Sequence, residues 1–344
     1  GHTMKILIIG GTGTISSAIT RQLAASGHDL WLLNRGNRNS GVPQNVKLIT
    51  GDINEHPDEV MAKLGNETFD AVCEFIGFLP EQVARDIKLF SGRTRQYVFI
   101  SSASAYNKPV RQHVITEGTT LANPYWEYSR NKIACEALLM QAYRESGFPV
   151  TIVRPSQTYC EREVPVGVNG NKGSWQVLKR MMEGKPIIVH GDGSTLWTMT
   201  WNEDFAKGFI GLLGNPQAIG EVYQIMSDES LTWNEIHQCI ADILGAEYKP
   251  YYVSSEYLAE VAPPAYDFRG ALLGDKAATV VFDCSKLKRA VPGFCATTRM
   301  DQGFRKAIAY ILEHPEFQTE DPEFDAWSDQ VIEALENAKA SLRK

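Results

Sequence analysis

An apolar run from Lys5 to Ile9 passes directly into Gly10-Gly11-Thr12-Gly13, and beyond it Ile19, Leu23 and Ala24 recur at helical spacing. A buried strand, a tight glycine turn and a helix in that order leave few arrangements open. The helix must fold back across the strand, and the next strand then lies parallel to the first. The pattern repeats. Asp29 to Leu33 stops at Asn34-Arg35-Gly36, Val46 to Thr50 stops at Gly51-Asp52, and Phe69 to Phe75, Gln96 to Ile100 and Val150 to Val153 are further apolar runs. Helical stretches over Asp58 to Leu64 and Glu81 to Leu89 separate them, and Asn123-Pro124 is expected to open a long helix reaching about Ser146. Strands alternating with helices predict a parallel sheet covered on both faces.

With 344 residues the chain has room for more than one core. A first domain is expected over residues 4–155 and a smaller, substrate-facing domain over 156–320, with segments around 195–226 returning to the first. A capping Asp321, Pro322 and apolar residues at Phe324, Trp327, Val331 and Leu335 predict an amphipathic helix over 321–344. A net charge of −7 with no basic run argues against a nucleic-acid surface. The six cysteines include no CxxC pair and read as buried, reduced thiols, and the histidines His113, His190 and His237 lack the spacing of metal ligands. No metal is expected. Gly1-His2-Thr3 before Met4 reads as a tag remnant, and Ile6 to Ile9 is too short for a signal or membrane span, so a cytoplasmic protein is expected.

Between the first strand and helix, glycines allow backbone amides to approach a pyrophosphate at the helix N-terminus, which makes Gly10, Thr12, Gly13, Thr14 and Ile15 candidate dinucleotide contacts. Ser16 stands at the third glycine position, where it is expected to loosen packing slightly. The second strand ends in Asn34-Arg35, with Arg38 close behind, where NAD-binding chains carry an acid; a cation there favours NADP over NAD. Asp52 and Ile53 end the third strand, and adenine recognition competes with helix capping as the reason for Asp52.

Tyr128 and Lys132, at i and i+4, share one helix face. An ammonium there favours the phenolate; bringing a tyrosine from about 10 toward 7 takes roughly 4 kcal/mol, after which it serves as an acid/base near neutrality. The strand Tyr97 to Ile100 delivers Ser101, Ser102 and Ser104 to its C-terminal end, the edge where such sheets hold ligands.

Together these residues resemble the extended short-chain dehydrogenase/reductase family, also described as the NAD-dependent epimerase/dehydratase family, from Met4 to about Leu312. Arg154-Pro155, His190-Gly191-Asp192-Gly193, Asn202-Glu203-Asp204 and Asp283-Cys284-Ser285-Lys286-Leu287 strengthen the likeness. The resemblance implies a Rossmann-type doubly wound α/β sheet with a smaller C-terminal substrate-binding domain. It implies Ser102 as the substrate-orienting hydroxyl, Tyr128 as acid/base and Lys132 as its modulator and a ribose ligand, with Pro155 beside the cofactor. A homodimer through helices is compatible with it.

Departures fall on the substrate side. Trp197 stands where many nucleotide-sugar epimerases have a pyrophosphate-binding arginine, Gln157 replaces an asparagine and Cys160 a turn glycine. Gln157 and Trp197 join Ser102 as candidate substrate contacts, and Trp175 is a further candidate for a pocket wall. The expected function is hydride transfer at a secondary alcohol or ketone carbon of a sugar or sugar nucleotide, as a 4-epimerase or reductase. A non-sugar carbonyl reductase stays open. So does a non-catalytic cofactor-sensing or RNA-binding protein, through a likeness of Asn34-Arg35-Gly36 to the chloroplast stem-loop-binding branch.

Overall fold

The computed structural model describes residues 3–343. Gly1 and His2, part of the expected tag remnant, and Lys344, the last residue of the expected tail helix, lie outside the described residues.

Seven strands form one parallel sheet: β1 Lys5–Ile9, β2 Asp29–Asn34, β3 Lys47–Thr50, β4 Ala71–Glu74, β5 Tyr97–Ile100, β6 Val150–Pro155 and β7 Glu221–Ile225. Their order is β7-β6-β5-β4-β1-β2-β3, every neighbour parallel. The chain builds outward from β1 through β2 to β3, then crosses to β4 and builds the other way. That reversal leaves a crevice beyond the C-terminal ends of β1 and β4. The Rossmann-type doubly wound sheet is therefore present.

Helices α1 Thr14–Ala25, α2 Pro57–Leu64, α3 Pro80–Phe90, α4 Glu127–Ser146, α5 Trp175–Met182, α6 Asn202–Leu212 and α7 Trp233–Leu244 follow in chain order. One face of the sheet buries Ala18, Ile19 and Leu23 of α1 with Phe205 and Phe209 of α6. On the other face lie Val60, Val83, Phe90, Cys135 and Leu139 of α2, α3 and α4. The inner strands β1, β4, β5 and β6 are consequently buried on both sides, which is why they read as continuous runs, whereas the edge strand β3 is largely exposed. A third cluster, built around Trp233, Trp197, Leu178, Phe304 and Phe324, forms the body beside the C-terminal edge of the sheet.

Two elements differ from expectation. The long helix starts at Glu127 rather than at Asn123-Pro124, because the Asn123 side chain is engaged elsewhere: its Nδ2 donates to the carbonyls of Ser104 and Gly274 while its Oδ1 accepts from the Tyr125 amide. The thiols are also not uniformly buried: Cys295 is exposed and Cys239 half-buried, each lying outside the apolar strands. Asp321 does cap the tail helix Pro322–Leu342, accepting from the Phe324 amide.

Candidate active site

Two cavities meet the C-terminal edge of the sheet. The first, about 660 Å³, lies over the crevice between β1 and β4 and is lined by Gly10, Thr12, Gly13, Arg35, Arg38 and Ile53, among others. Gly10 and Gly11 hold φ of 107° and 87°, the left-handed region that glycine enters without strain. A Cβ on Gly11 would also overlap Leu32. Glycine is thus demanded twice there, by conformation and by space, and the backbone is left bare at the cavity floor. Gly13 occupies the N-cap of α1, so the first-turn amides at Thr14, Ile15 and Ser16 face the loop mouth. Ser16, instead of loosening the packing, is buried, and its Oγ accepts from the Gly13 amide at 3.0 Å.

Asn34 shapes the neighbouring loop. Its Oδ1 accepts from the Gly36 amide, and its Nδ2 donates to the Gly10 carbonyl and to Asn39 Oδ1. Arg35 and Arg38 are exposed along the same cavity wall. Asp52 lines the cavity too, but its Oδ1 accepts from the amides of Asn54 and Glu55, so it closes a local turn rather than capping α2, whose N-cap is His56.

The second cavity, about 550 Å³, contains Ser102, Tyr128, Pro155, Gln157 and Trp197 in its lining together with Ile15. Pro155 and Ile15 therefore face this cavity rather than the first, at the seam between the two. Thr14 and Lys132 line neither. Thr14 is held in the frame: its carbonyl accepts from Asn202 Nδ2, and its hydroxyl lies 3.9 Å from Cys160 Sγ.

Ser102, at the end of β5, accepts from the Ser104 amide, and its Oγ pairs with Ser104 Oγ at 2.8 Å, which in turn pairs with Ser129 Oγ at 2.6 Å. Ser101 points inward and donates to Glu136 Oε2. Ser101 is thus taken up by Glu136, while Ser102 and Ser104 line the cavity together with Tyr128. Lys132 is buried and donates to the carbonyls of Gly77 and Ile100, both at 2.8 Å, with its ammonium 5.9 Å from the Tyr128 ring centre. Burial brings this lysine down to about 8, against the pull of Cys135, Glu74 and Glu136. In the protein alone, Tyr128 is pushed above its ordinary range by burial and then by the Asp275 carboxylate, with the nearby Ser102 hydroxyl working the other way.

Arg154 is committed to the frame. Its guanidinium pairs with the buried Glu136 of α4 at 2.6 and 3.0 Å and donates to the Glu117 carbonyl. Trp197 is buried and stacked on Trp233, with ring centres 5.7 Å apart; Trp175 packs on the third core and does not line the cavity. His190 and His237, separate in sequence, converge on Gly167: His237 Nε2 accepts from its amide, and a Cβ there would lie 2.7 Å from the His190 ring. Among the described residues no cluster of three metal-ligating side chains occurs, and no helix is long and apolar enough to cross a membrane.

Sequence reasoning missed Asp275, Lys276, Trp126, Tyr266 and Phe268, which all line the second cavity. Asp275 and Lys276 end a π-helix, Arg269–Lys276, whose period matches neither a strand nor an α-helix. The one available signal was an acid–base pair closing an apolar, glycine-spaced run.

A doubly wound sheet whose reversal point carries a glycine cradle, with a serine, tyrosine and lysine gathered at the neighbouring strand end, defines a dinucleotide-binding class of protein. Residues 6–225 match the model of the NAD dependent epimerase/dehydratase family, and the chain belongs to that family. It is similar to a 2'-dehydrokanamycin reductase from Streptomyces kanamyceticus, at 26% identity over 85% of this chain and 80% of that protein. It is also similar to the chloroplast stem-loop binding protein of 41 kDa b of Arabidopsis thaliana, at 25% identity over 69% of this chain and 62% of that one. Among solved structures, the UDP-glucuronic acid 4-epimerase from Bacillus cereus, in complex with UDP-glucuronic acid and NAD, has the same fold, with a TM-score of 0.69 at 17% identity over 90% of this chain and 99% of that one.

Proposed function

We propose that this protein is an NAD(P)-dependent oxidoreductase or epimerase that acts at a secondary alcohol or ketone carbon of a sugar or sugar nucleotide. The observation that carries the reading is that Ser102 and Tyr128 line one cavity next to the glycine cradle, with the buried Lys132 ammonium 5.9 Å from the Tyr128 ring centre. The glycine cradle fits a dinucleotide, since Gly11 has no room for a side chain and Gly13 and Ser16 bring the N-terminus of α1 to the cavity. Gly10, Gly13 and Ile53 would hold the cofactor, whose nicotinamide supplies or accepts hydride when bound.

Ser102 Oγ holds the substrate oxygen, and the Tyr128 hydroxyl gives a proton to it in reduction or takes one in oxidation. Lys132, fixed on two carbonyls, keeps positive charge beneath the tyrosine. Tyr128 starts above its ordinary range, so the phenolate needs the positive ring of an oxidised cofactor as well as Lys132. Tyr128→Phe is expected to bind cofactor with unchanged affinity and to lose turnover by at least about a thousandfold, as general acid–base catalysis contributes; an active variant would refute the mechanism.

Arg35 and Arg38, free to reach the ribose end of the first cavity, favour NADP. Arg35→Asp should weaken NADP much more than NAD in calorimetric titration, and equal losses would remove Arg35 as a phosphate ligand.

A further inference from the structure

The second cavity offers unequal welcome to charge. Of its lining residues Lys276 is the one cation, and its ammonium is already donated to the carbonyls of Val166 and Gly167 at 2.9 and 3.3 Å. Two carboxylates, Asp267 and Asp275, face the same space. A diphosphate brought into it would meet two carboxylates and one ammonium with a single N–H left to give, too little to offset the cost of desolvating its charge. A polyol ring meets a better match. Aromatic faces come from Trp126, Tyr266 and Phe268, and amide groups from Gln157, Asn169 and Asn171.

Two buried polar groups of the lining, Trp197 Nε1 and Thr158 Oγ1, have no partner among the described residues. Trp197 is 3% exposed and its indole Nε1 has no hydrogen-bond acceptor among the described residues, although a buried donor of this kind normally finds one. Asp275 lines the same space as that indole and Tyr128, and its placement is built. Gly270 and Gly274 leave room for Trp126 to lie against the π-helix, and Asn123 straps Gly274 to Ser104, two residues from Ser102. Burial raises the Asp275 carboxyl to about 6, opposed by Lys108 and Lys276, so it is an acceptor at neutral pH.

We infer that this cavity takes an unphosphorylated sugar ring rather than a nucleoside diphosphate sugar, with Trp197 Nε1 as a donor and Asp275 as an acceptor to its hydroxyls. The inference rests on the oxidoreductase reading but narrows its substrate to a polyol held by these two residues. Because both act on substrate and neither touches the glycine cradle, cofactor binding is independent of them.

The test is saturation-transfer NMR on protein loaded with NADP or NAD, whichever binds more tightly, with two sets of probes, the methyl glycosides of glucose, galactose and mannose, and UDP. At least one glycoside is expected to receive saturation, with none reaching the uridine protons. Asp275→Asn and Trp197→Phe should each weaken that glycoside about tenfold, the scale of one lost hydrogen bond to a desolvated partner, with cofactor affinity unchanged. Trp197→Phe keeps the stack on Trp233, so it remains informative if the Asp275 variant folds poorly. Transfer to UDP, no transfer to any glycoside, or unaltered glycoside binding in both variants would overturn the inference. If neither NADP nor NAD binds the wild-type protein, the oxidoreductase reading falls first, and the two failures are thereby told apart.

Discussion

Gly11 shows how little a single position can vary when backbone and packing ask for the same residue. Its φ of 87° and its approach to Leu32 make Gly11→Ala costly by about 1–3 kcal/mol. The variant is expected to lose NAD affinity more than tenfold in titration and to melt earlier, while retained affinity would show that the cradle tolerates a methyl group. Residues with two possible roles were harder to read. Arg154 and Ser102 both belong to motifs of the resemblance, yet one ends in a buried ion pair and the other at a cavity wall. Residue type and position on a strand say that each is polar at the sheet edge. Which way the side chain turns depends on whether a partner such as Glu136 waits inside.

Elements decide where those side chains are held. The Arg154–Glu136 pair joins β6 to α4, and Ser101 of the β5 end adds a third bond to the same carboxylate. Helix α4 carries Tyr128 and Lys132, so this network sets the helix against the strand that presents Ser102. Removing one partner strands a buried charge, so Glu136→Gln should cost about 3 kcal/mol in urea denaturation; a loss under about 1 kcal/mol would mean that the guanidinium finds water. The π-helix Arg269–Lys276 is seated by a different device, the missing side chains at Gly270 and Gly274 against Trp126. Gly270→Ala should lower the melting temperature by several degrees, since overpacking costs about 1–3 kcal/mol. The inner strands of the sheet were legible because burial on both faces makes them predominantly apolar. This π-helix was not, because nothing in its composition announces an i→i+5 turn.

Across the whole molecule, the two cavities share one edge of the sheet but are built from different parts of the chain. The second depends on the body that contains His190 and His237, which burial holds down at about 4 and about 3, with the Lys276 charge adding to both. Both values lie below the ordinary 6.5, so the unfolded chain binds protons that the folded one refuses. Stability is therefore full above about 6.5 and falls as pH drops toward 4 and then 3. By pH 5 each histidine should cost about 2 kcal/mol. His237→Gln keeps an acceptor for the Gly167 amide but cannot titrate. Comparing urea denaturation at pH 7 and pH 5, the wild-type loss should exceed the variant's by that amount, and parallel losses would exclude His237 as the acid-sensitive group.

Periodicity and glycine placement were enough to determine the sheet, its parallel sense, the glycine turn and the tyrosine–lysine face, because each depends on contacts local in the chain or on burial that marks the inner strands. Whether Arg154 faces in or out, where His190 and His237 meet, and that Asp275 stands beside Tyr128 were decided only by tertiary structure. Those positions come from segments far apart in sequence, strapped together by Asn123 and by the space two glycines leave. No local pattern records a neighbour that arrives from elsewhere in the chain.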